Sequence, residues 1–330
     1  MTQLAGTTDS YRVGTAGGNR EDLEDVIWEL DPLDTYCLSN FDRVKVEATF
    51  HEHEIDSLVA PTTNRQIEGD DAAYVTVVSP SRVGNYCQIS RKTFLISRTQ
   101  ERVSKAGRKS EVKRQLKKQM KELKNEMEYA IVRNQGSSAG GSGTARSLGS
   151  IESWIPSTDN SGNGVKATTT ASGSTAAFAA NVVATPTDSS TTGAFNETQF
   201  LAALQLAWED GGKPSSILLN APNKRLASAF AGVATKTHNV EGKSKPVIAG
   251  SVDVYVSEFG THNFILHRHV RASTVLCLDP EYWAVGMLDA PFMEQLAKTG
   301  DGTKHMLAAE YTLVSRNHSA SAKVFACTGT

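Results

Sequence analysis

Apolar positions recur at two different periods along this chain, and the points where the period changes divide it into elements. From Ser110 to Asn134, Val112, Leu116, Met120, Leu123, Met127 and Ala130/Ile131 fall at steps of three and four, a single apolar stripe at helical period. No Pro or Gly interrupts the run, and the good helix formers Lys, Glu, Gln, Leu and Met dominate it. Ser110 has N-cap chemistry and Asn134-Gln135-Gly136 supplies a stop. The spacing predicts a helix over 110–134 about 36 Å long, well beyond the usual globular helix.

Before this helix the pattern is different. Residues 20–30 predict a short amphipathic helix, with Leu23, Val26, Ile27 and Leu30 on one side and acids on the other, ended by Asp31-Pro32. From Arg43 to Glu54 the period is two: Val44, Val46, Ala48 and Phe50 alternate with Lys45, Glu47, Thr49 and His51. A turn-rich stretch follows, then β-rich runs at Tyr74–Val78 and Tyr86–Ser97, with breaks expected at Pro80 and Gly84. Two extended runs around a polar, weakly apolar tip predict a long hairpin projecting from the body, with little core of its own.

After the long helix, 13 of the 15 residues from Gly136 to Ser150 are Gly, Ser, Ala or Thr, and Ile151, Trp154 and Ile155 then form a short apolar anchor. Residues 156–195 hold three charged side chains (Asp159, Lys166, Asp188) and read as surface loops and short strands. Asn196 and Gln199 stand at capping-box spacing before a helix with Phe200, Leu201, Leu204 and Trp208 on its apolar face, ended by Gly211-Gly212 and Pro214. A buried strand at 216–220, a helix from Pro222 to Phe230, and strands at Val247–Val256, Asn263–His267 and Thr274–Leu278 follow, with a turn at Gly260. Phe292–Ala297, Leu307–Arg316 and Ala322–Cys327 complete the predicted strands, for an α+β chain without internal repeats.

Charge changes this picture locally, not globally. The formal net charge of -2 excludes a bulk nucleic-acid binder. Yet 20–34 carries seven acids (Glu21, Asp22, Glu24, Asp25, Glu29, Asp31, Asp34) against one Arg, while 105–124 carries nine Lys/Arg against Glu111 and Glu122. The two segments are complementary. Cys37, Cys87, Cys277 and Cys327 are far apart with no CxxC pair, so free buried thiols are expected. The opening MTQLAGTTDSYRVG is no signal peptide, and no apolar run approaches the ~18 residues of a membrane span, so a soluble product is expected.

Candidate chemistry is thin. Gly242-Lys243-Ser244 resembles the end of a phosphate loop, but Thr237 stands where the motif needs Gly. Gly141 and Gly143 follow a helix where a dinucleotide fingerprint follows a strand. His51/His53 and His267/His269 would each share a strand face, two ligands short of a metal site, and are expected to face solvent. Asn196-Glu-Thr and Asn317-His-Ser match a glycosylation sequon without a secretory signal. No catalytic residue, cofactor or metal is expected. The basic helix face (Lys113, Lys117, Lys118, Lys121, Lys124) lacks the aromatics and turn-helix context of a nucleic-acid reader, and about three heptads make a borderline coiled coil. A solvated polar face over a buried stripe needs nothing special.

The order of the pieces resembles the major capsid proteins of tailed phages with the HK97-like fold. Glu68-Gly-Asp-Asp-Ala72, Asn85-Tyr-Cys-Gln-Ile-Ser-Arg91, the long helix, and Gly143-Thr-Ala-Arg-Ser-Leu-Gly149 before Ile151 and Trp154 look like the SU10 major head protein family within it. The likeness runs from about residue 20 to the end and is densest over 20–155. The resemblance implies an N-terminal arm (1–42), an E-loop with flanking strands (43–100), a P-domain with a spine helix (101–195), an A-domain (196–290) and C-terminal strands returning to the P-domain (291–330). It also implies hexamers and pentamers of the chain around double-stranded DNA, a virion capsid assembled in a bacterial cytoplasm. A portal, a separate scaffolding protein and a decoration protein are the further partners it implies. Inter-subunit contact would fall on Glu21, Asp22, Glu24, Asp25, Arg65, Glu68, Asp70 and Asp71. From another class, a tail or decoration protein, or a soluble α+β enzyme, competes with this reading.

Overall fold

Alternating and helical periods both become regular elements in the computed structural model. It describes residues 34–329 apart from 57, 60, 72–73, 75, 78, 106, 156–163, 168–177, 180, 187, 190 and 231–252. In chain order the elements are α1 (Tyr36–Asn40), β1 (Asp42–Lys45), β2 (Phe50–Ile55), β3 (Ser81–Tyr86), β4 (Gln88–Ser97), α2 (Arg98–Arg102), α3 (Glu111–Val132) and α4 (Ile151–Trp154). Then come β5 (Gly164–Lys166), β6 (Phe178–Ala179), β7 (Val182–Val183), α5 (Glu197–Glu209), β8 (Ser216–Leu219), α6 (Ala221–Ser228), β9 (Val254–Ser257), β10 (Gly260–Leu266), β11 (Thr274–Leu278), β12 (Trp283–Leu296), β13 (Gly302–Ser315) and β14 (Ala322–Phe325). The acidic helix expected over 20–30, and Gly242-Lys243-Ser244, lie outside the described residues.

Helix α3 begins as its sequence predicts: the Ser110 hydroxyl accepts from Lys113 N at 3.3 Å. It ends at Val132 with Arg133 as C-cap, so Gly136 does not terminate it. It lies against a four-stranded sheet of order β1-β12-β13-β4. Leu123, Met127, Ala130 and Ile131 are buried, while Val112, Leu116 and Met120 are half-buried. The stripe is therefore anchored at its C-terminal half and overhangs at its N-terminal half.

A second sheet has the order β5-β14-β11-β8-β10-β9, and α5 packs on it to build a separate aromatic core around Phe200, Phe230 and Phe264. Here sequence and structure agree closely. Asn196 Oδ1 caps α5 through Gln199 N (3.1 Å), Pro222 sits in the first turn of α6, and β11 spans Thr274–Leu278 as expected. Asn317 likewise accepts from Ser319 N at 3.1 Å, so both sequon asparagines serve as caps. Trp208 departs from its expected apolar face and is 55% exposed.

Four strand expectations are corrected. The period-two run 43–54 is two strands in two sheets: β1 runs parallel to β12 (Asp42↔Ala284), and β2 pairs antiparallel with β3 (Phe50↔Tyr86 to Ile55↔Ser81). The chain crosses between them at Val46, packed where Gly286 leaves room; a Cβ there would stand 2.6 Å from Val46 Cγ2. Of the stretch Tyr74–Val78, the described residues Tyr74, Thr76 and Val77 lie in no strand, and Tyr74 (99%) and Val77 (91%) are bare. Gly84 does not break β3, because its missing side chain makes space for the Phe50 ring. At the C-terminus, Phe292–Ala297 is only the distal part of β12. Register shifts at Met287/Asp289 and Asp289/Phe292 bracket Pro291, and such bulges accommodate a residue without an N–H while hiding the alternation. The histidines also differ from expectation, since His267 is buried and His53 turns inward, stacked on Trp154 at 6.1 Å.

Candidate functional site: assembly surfaces and the joints behind them

The antiparallel pair β2–β3 is six residues long and carries residues 56–80 at its end. The described apolar residues of this segment have little core. Leu58, Val59, Ile67, Tyr74 and Val77 are each at least 78% exposed. At its tip Asp70 N donates to Ile67 O (3.1 Å) across a turn with Gly69 at φ +82°, a conformation that suits glycine. Arg65, Glu68, Asp70 and Asp71 are all exposed, so these four candidates share one projecting tip. Glu21, Asp22, Glu24 and Asp25 lie outside the described residues. On α3, Lys113, Lys117, Lys118 and Lys124 are exposed and Lys121 is half-buried; Lys118 pairs with Glu122 at 3.7 Å.

Behind these surfaces stand joints that the sequence pattern did not single out. Glu128, fully buried on α3, accepts from Cys37 N (2.7 Å) and Leu38 N (2.9 Å). Its carboxylate thus caps α1, whose own N-cap Thr35 makes no side-chain bond. His267, at the end of β10, accepts from His269 N at Nδ1 (3.3 Å) and so carries its proton on Nε2, 3.0 Å from the same carboxylate. Asp34 joins by accepting from Arg268 N (2.9 Å). Burial, with Glu128 beside it, pushes the Cys37 thiol far above its usual range. The one sequence signal was a carboxylate next to Met127 on the edge of the apolar stripe.

A second joint brings together phrases far apart in sequence. Asn85 is buried with its amide fully used: Nδ2 donates to Gly149 O (3.0 Å) and Leu313 O (2.8 Å), and Oδ1 accepts from Gly149 N (2.7 Å). Gln88 accepts from Gln135 Nε2 at 2.7 Å, and Gln135 also reaches Leu148 O at 3.0 Å. Arg146 pairs with Glu310 on β13. The segments 85–91, 143–149 and the end of α3 therefore form one hydrogen-bonded corner over Ile151 and Trp154. A third joint ties α4 to the second sheet: Arg271 holds Glu152 and Asp188 (2.7 Å), and its guanidinium keeps the Asp188 carboxyl below its usual value. Lys323 donates to Glu152 O at 2.6 Å, and burial lowers its ammonium to about 8.

The joints hold a scaffold and leave its extensions bare, an arrangement suited to contact between copies. Among the described residues no group of three or more His, Cys, Asp or Glu could hold a metal. The sequence model of one family, SU10 major capsid protein, matches residues 5–328, nearly the whole chain.

The chain belongs to the SU10 major capsid protein family.

Solved structures agree on the fold. The capsid of cyanophage A-1(L) is similar with a TM-score of 0.65 at 11% identity, over 94% of this chain and 97% of that one. The capsid of a native GTA particle gives 0.61 at 10% identity, over 98% and 100%. A phage G assembly of major capsid proteins and decoration proteins gives 0.54 at 11% identity, over 98% and 99%. No match is found among curated proteins. The fold is HK97-like, and this SU10-family major capsid protein is a structural, capsid-forming component of a virion, not an enzyme. Within this fold β2–β3 carries residues 56–80 outward, and α3 lies against the β1-β12-β13-β4 sheet. The Asn85–Gly149 corner fastens one to the other.

Proposed function

We propose that this capsid protein closes an icosahedral shell from hexamers and pentamers of itself around packaged double-stranded DNA, in the cytoplasm of a bacterial host. The observation that carries the reading is the family match over residues 5–328, on a subunit whose Leu58, Val59, Ile67, Tyr74 and Val77 stand exposed. A surface of that kind costs free energy in an isolated subunit and is satisfied when neighbours cover it. On this reading 1–42 is the arm, 43–100 the E-loop with its flanks, 101–195 the P-domain, 196–290 the A-domain facing the capsomer axis, and 291–330 the return to the P-domain. A portal and a separate scaffolding protein act in assembly, and a decoration protein is a further partner. The acidic residues Glu21, Asp22, Glu24 and Asp25 pack against the basic face of α3 in the same or a neighbouring copy. The motivation is the opposed charge of the two segments.

Sedimentation velocity and negative-stain imaging of the purified chain test the central reading. Capsomers or closed shells are expected. A stable 35.5 kDa monomer at all concentrations would oppose it.

A further inference from the structure

Strand β2 is the outer member of the sheet β2-β3-β7-β6, and none of its residues is buried. One face carries Glu52 and Glu54, which are exposed and pair with Arg82 of β3 at 3.8 and 3.6 Å. The other carries His51, His53 and Ile55, all half-buried. Two of the three side chains on this inward face are therefore imidazoles. Strand β3 is fastened by groups that do not titrate: Val83 and Asn85 are buried, Gly84 N donates to Asn181 O (2.9 Å), and Tyr86 N donates to Ser137 Oγ (2.9 Å).

His53 stacks on Trp154 of α4 at 6.1 Å, and His318, in the short turn after β13, lies 6.5 Å from the same indole. Phe178 closes this box, edge-on to both Trp154 (5.6 Å) and His318 (5.1 Å). Trp154 is 1% exposed, so both imidazoles meet a dry surface. Neither ring nitrogen of His53 reaches solvent or makes a hydrogen bond. The charged groups around the box are turned elsewhere. Glu152 on α4 is held by Arg271, Arg316 after β13 pairs with Asp42 (3.1 Å), and the β2 carboxylates pair with Arg82. The Ser315 backbone favours a charged His53, but less than burial and His51 oppose it.

A proton on either ring puts an unpartnered charge into an apolar box, and a second proton adds repulsion between His53 and His318. Burial, reinforced by His53, holds the His318 imidazole down to about 4, against 6.5 for the free side chain. The contact is therefore complete above pH 6.5 and loses free energy as the pH falls toward 4. One side of the box must move for water to reach the charge. Helix α4 is buried along its whole length, whereas β2 is an edge strand with nothing buried, so β2 is the side that yields. A strand pair whose inward face has lost its packing is marginal in water, and β2 then frays from β3 as well.

We propose that β2 is a proton-operated strap: in acid His53 leaves Trp154 and β2 comes away from the body, while β3 stays fastened. The segment 56–80, which the two strands carry together, is then held by one strand in place of two. At neutral pH it stands in a fixed pose toward a neighbour, and acid withdraws that pose. The strap belongs to the single subunit and operates whether or not the shell-forming reading above holds.

Hydrogen exchange resolved to single amides, corrected for the intrinsic effect of pH, tests the strap in the full-length chain. Between pH 7 and pH 4.5 the protected amides among residues 51–55 should exchange faster by at least about tenfold, the scale of one unit of pKa shift. Gly84 N, Tyr86 N and the β4–β13 ladder should keep their protection. His53→Phe with His318→Phe should hold residues 51–55 protected at pH 4.5. Should that pair not fold, as loss of β4–β13 protection at pH 7 would show, His53→Gln with His318→Gln carries the same test. Unchanged protection of residues 51–55 in acid would overturn the strap. So would an equal loss across 51–55 and the β4–β13 ladder, which is global unfolding, or a pH step that persists in the neutral variants.

Discussion

Glu128 and His318 show how single buried groups set the properties of the subunit. Glu128 holds α1 by its first-turn N–H groups, 90 and 91 residues away in sequence. Glu128→Ala would leave those donors and His267 Nε2 unsatisfied in the interior. The expected loss is about 3 kcal/mol, the scale of hydrogen bonds to a charged group, read as a lower urea midpoint of dissociated subunits. Protease cleavage near residues 34–40 should quicken in the same variant. His318 packs edge-on against Phe178 (5.1 Å) and near Trp154, and burial, reinforced by His53, lowers its imidazole to about 4. His53 and His51 on β2 are also lowered by burial, so the groups facing this box favour the neutral form. The unfolded chain takes up a proton near pH 6.5 that the folded His318 refuses until about pH 4. Stability is thus complete above pH 6.5 and falls as pH drops through that window, by up to about 3 kcal/mol. His318→Phe should flatten this fall in denaturation series at pH 7 and pH 4.5; an unchanged slope would contradict it.

At the scale of elements, α3 is the case where local pattern and tertiary burial can be compared along one helix. Its N-cap and length were legible because capping and propensity are local. The gradient of burial was not, because it depends on where the sheet beneath it ends. Leu123→Ala should therefore cost about 2–5 kcal/mol in chemical denaturation, and Val112→Ala, on the overhanging half, less than half as much. Similar reasoning explains the strands. β11, buried on both faces and bounded by turns, was readable as a short apolar run. The stretch 43–54 was not, since only pairing with β12 and β3, over two hundred and about thirty residues away, decides that it is two strands. Tyr74, Thr76 and Val77 have strand composition but pair with no strand among the described residues, and β propensity without a partner makes no strand.

For the whole molecule, the proposed assembly rests on the charge that α3 presents outward. Lys117→Glu, Lys118→Glu and Lys121→Glu together should impair shell formation most at low salt and progressively less toward 1 M, where the screening length falls to about 3 Å. Light scattering during assembly across a salt series checks this, and a defect independent of salt would exclude a role through charge. The sequence by itself determined the long helix, the capped helix α5, the strand β11, and the segregation of opposite charges. All of these follow from periodicity, capping chemistry and composition, which act over a few residues. Only the tertiary structure decided which strands pair, that Glu128 caps a helix from another part of the chain, and that Asn85 meets Gly149. Those outcomes depend on contacts between residues far apart in sequence, and burial then fixes which polar groups must find a partner and which remain for a neighbour.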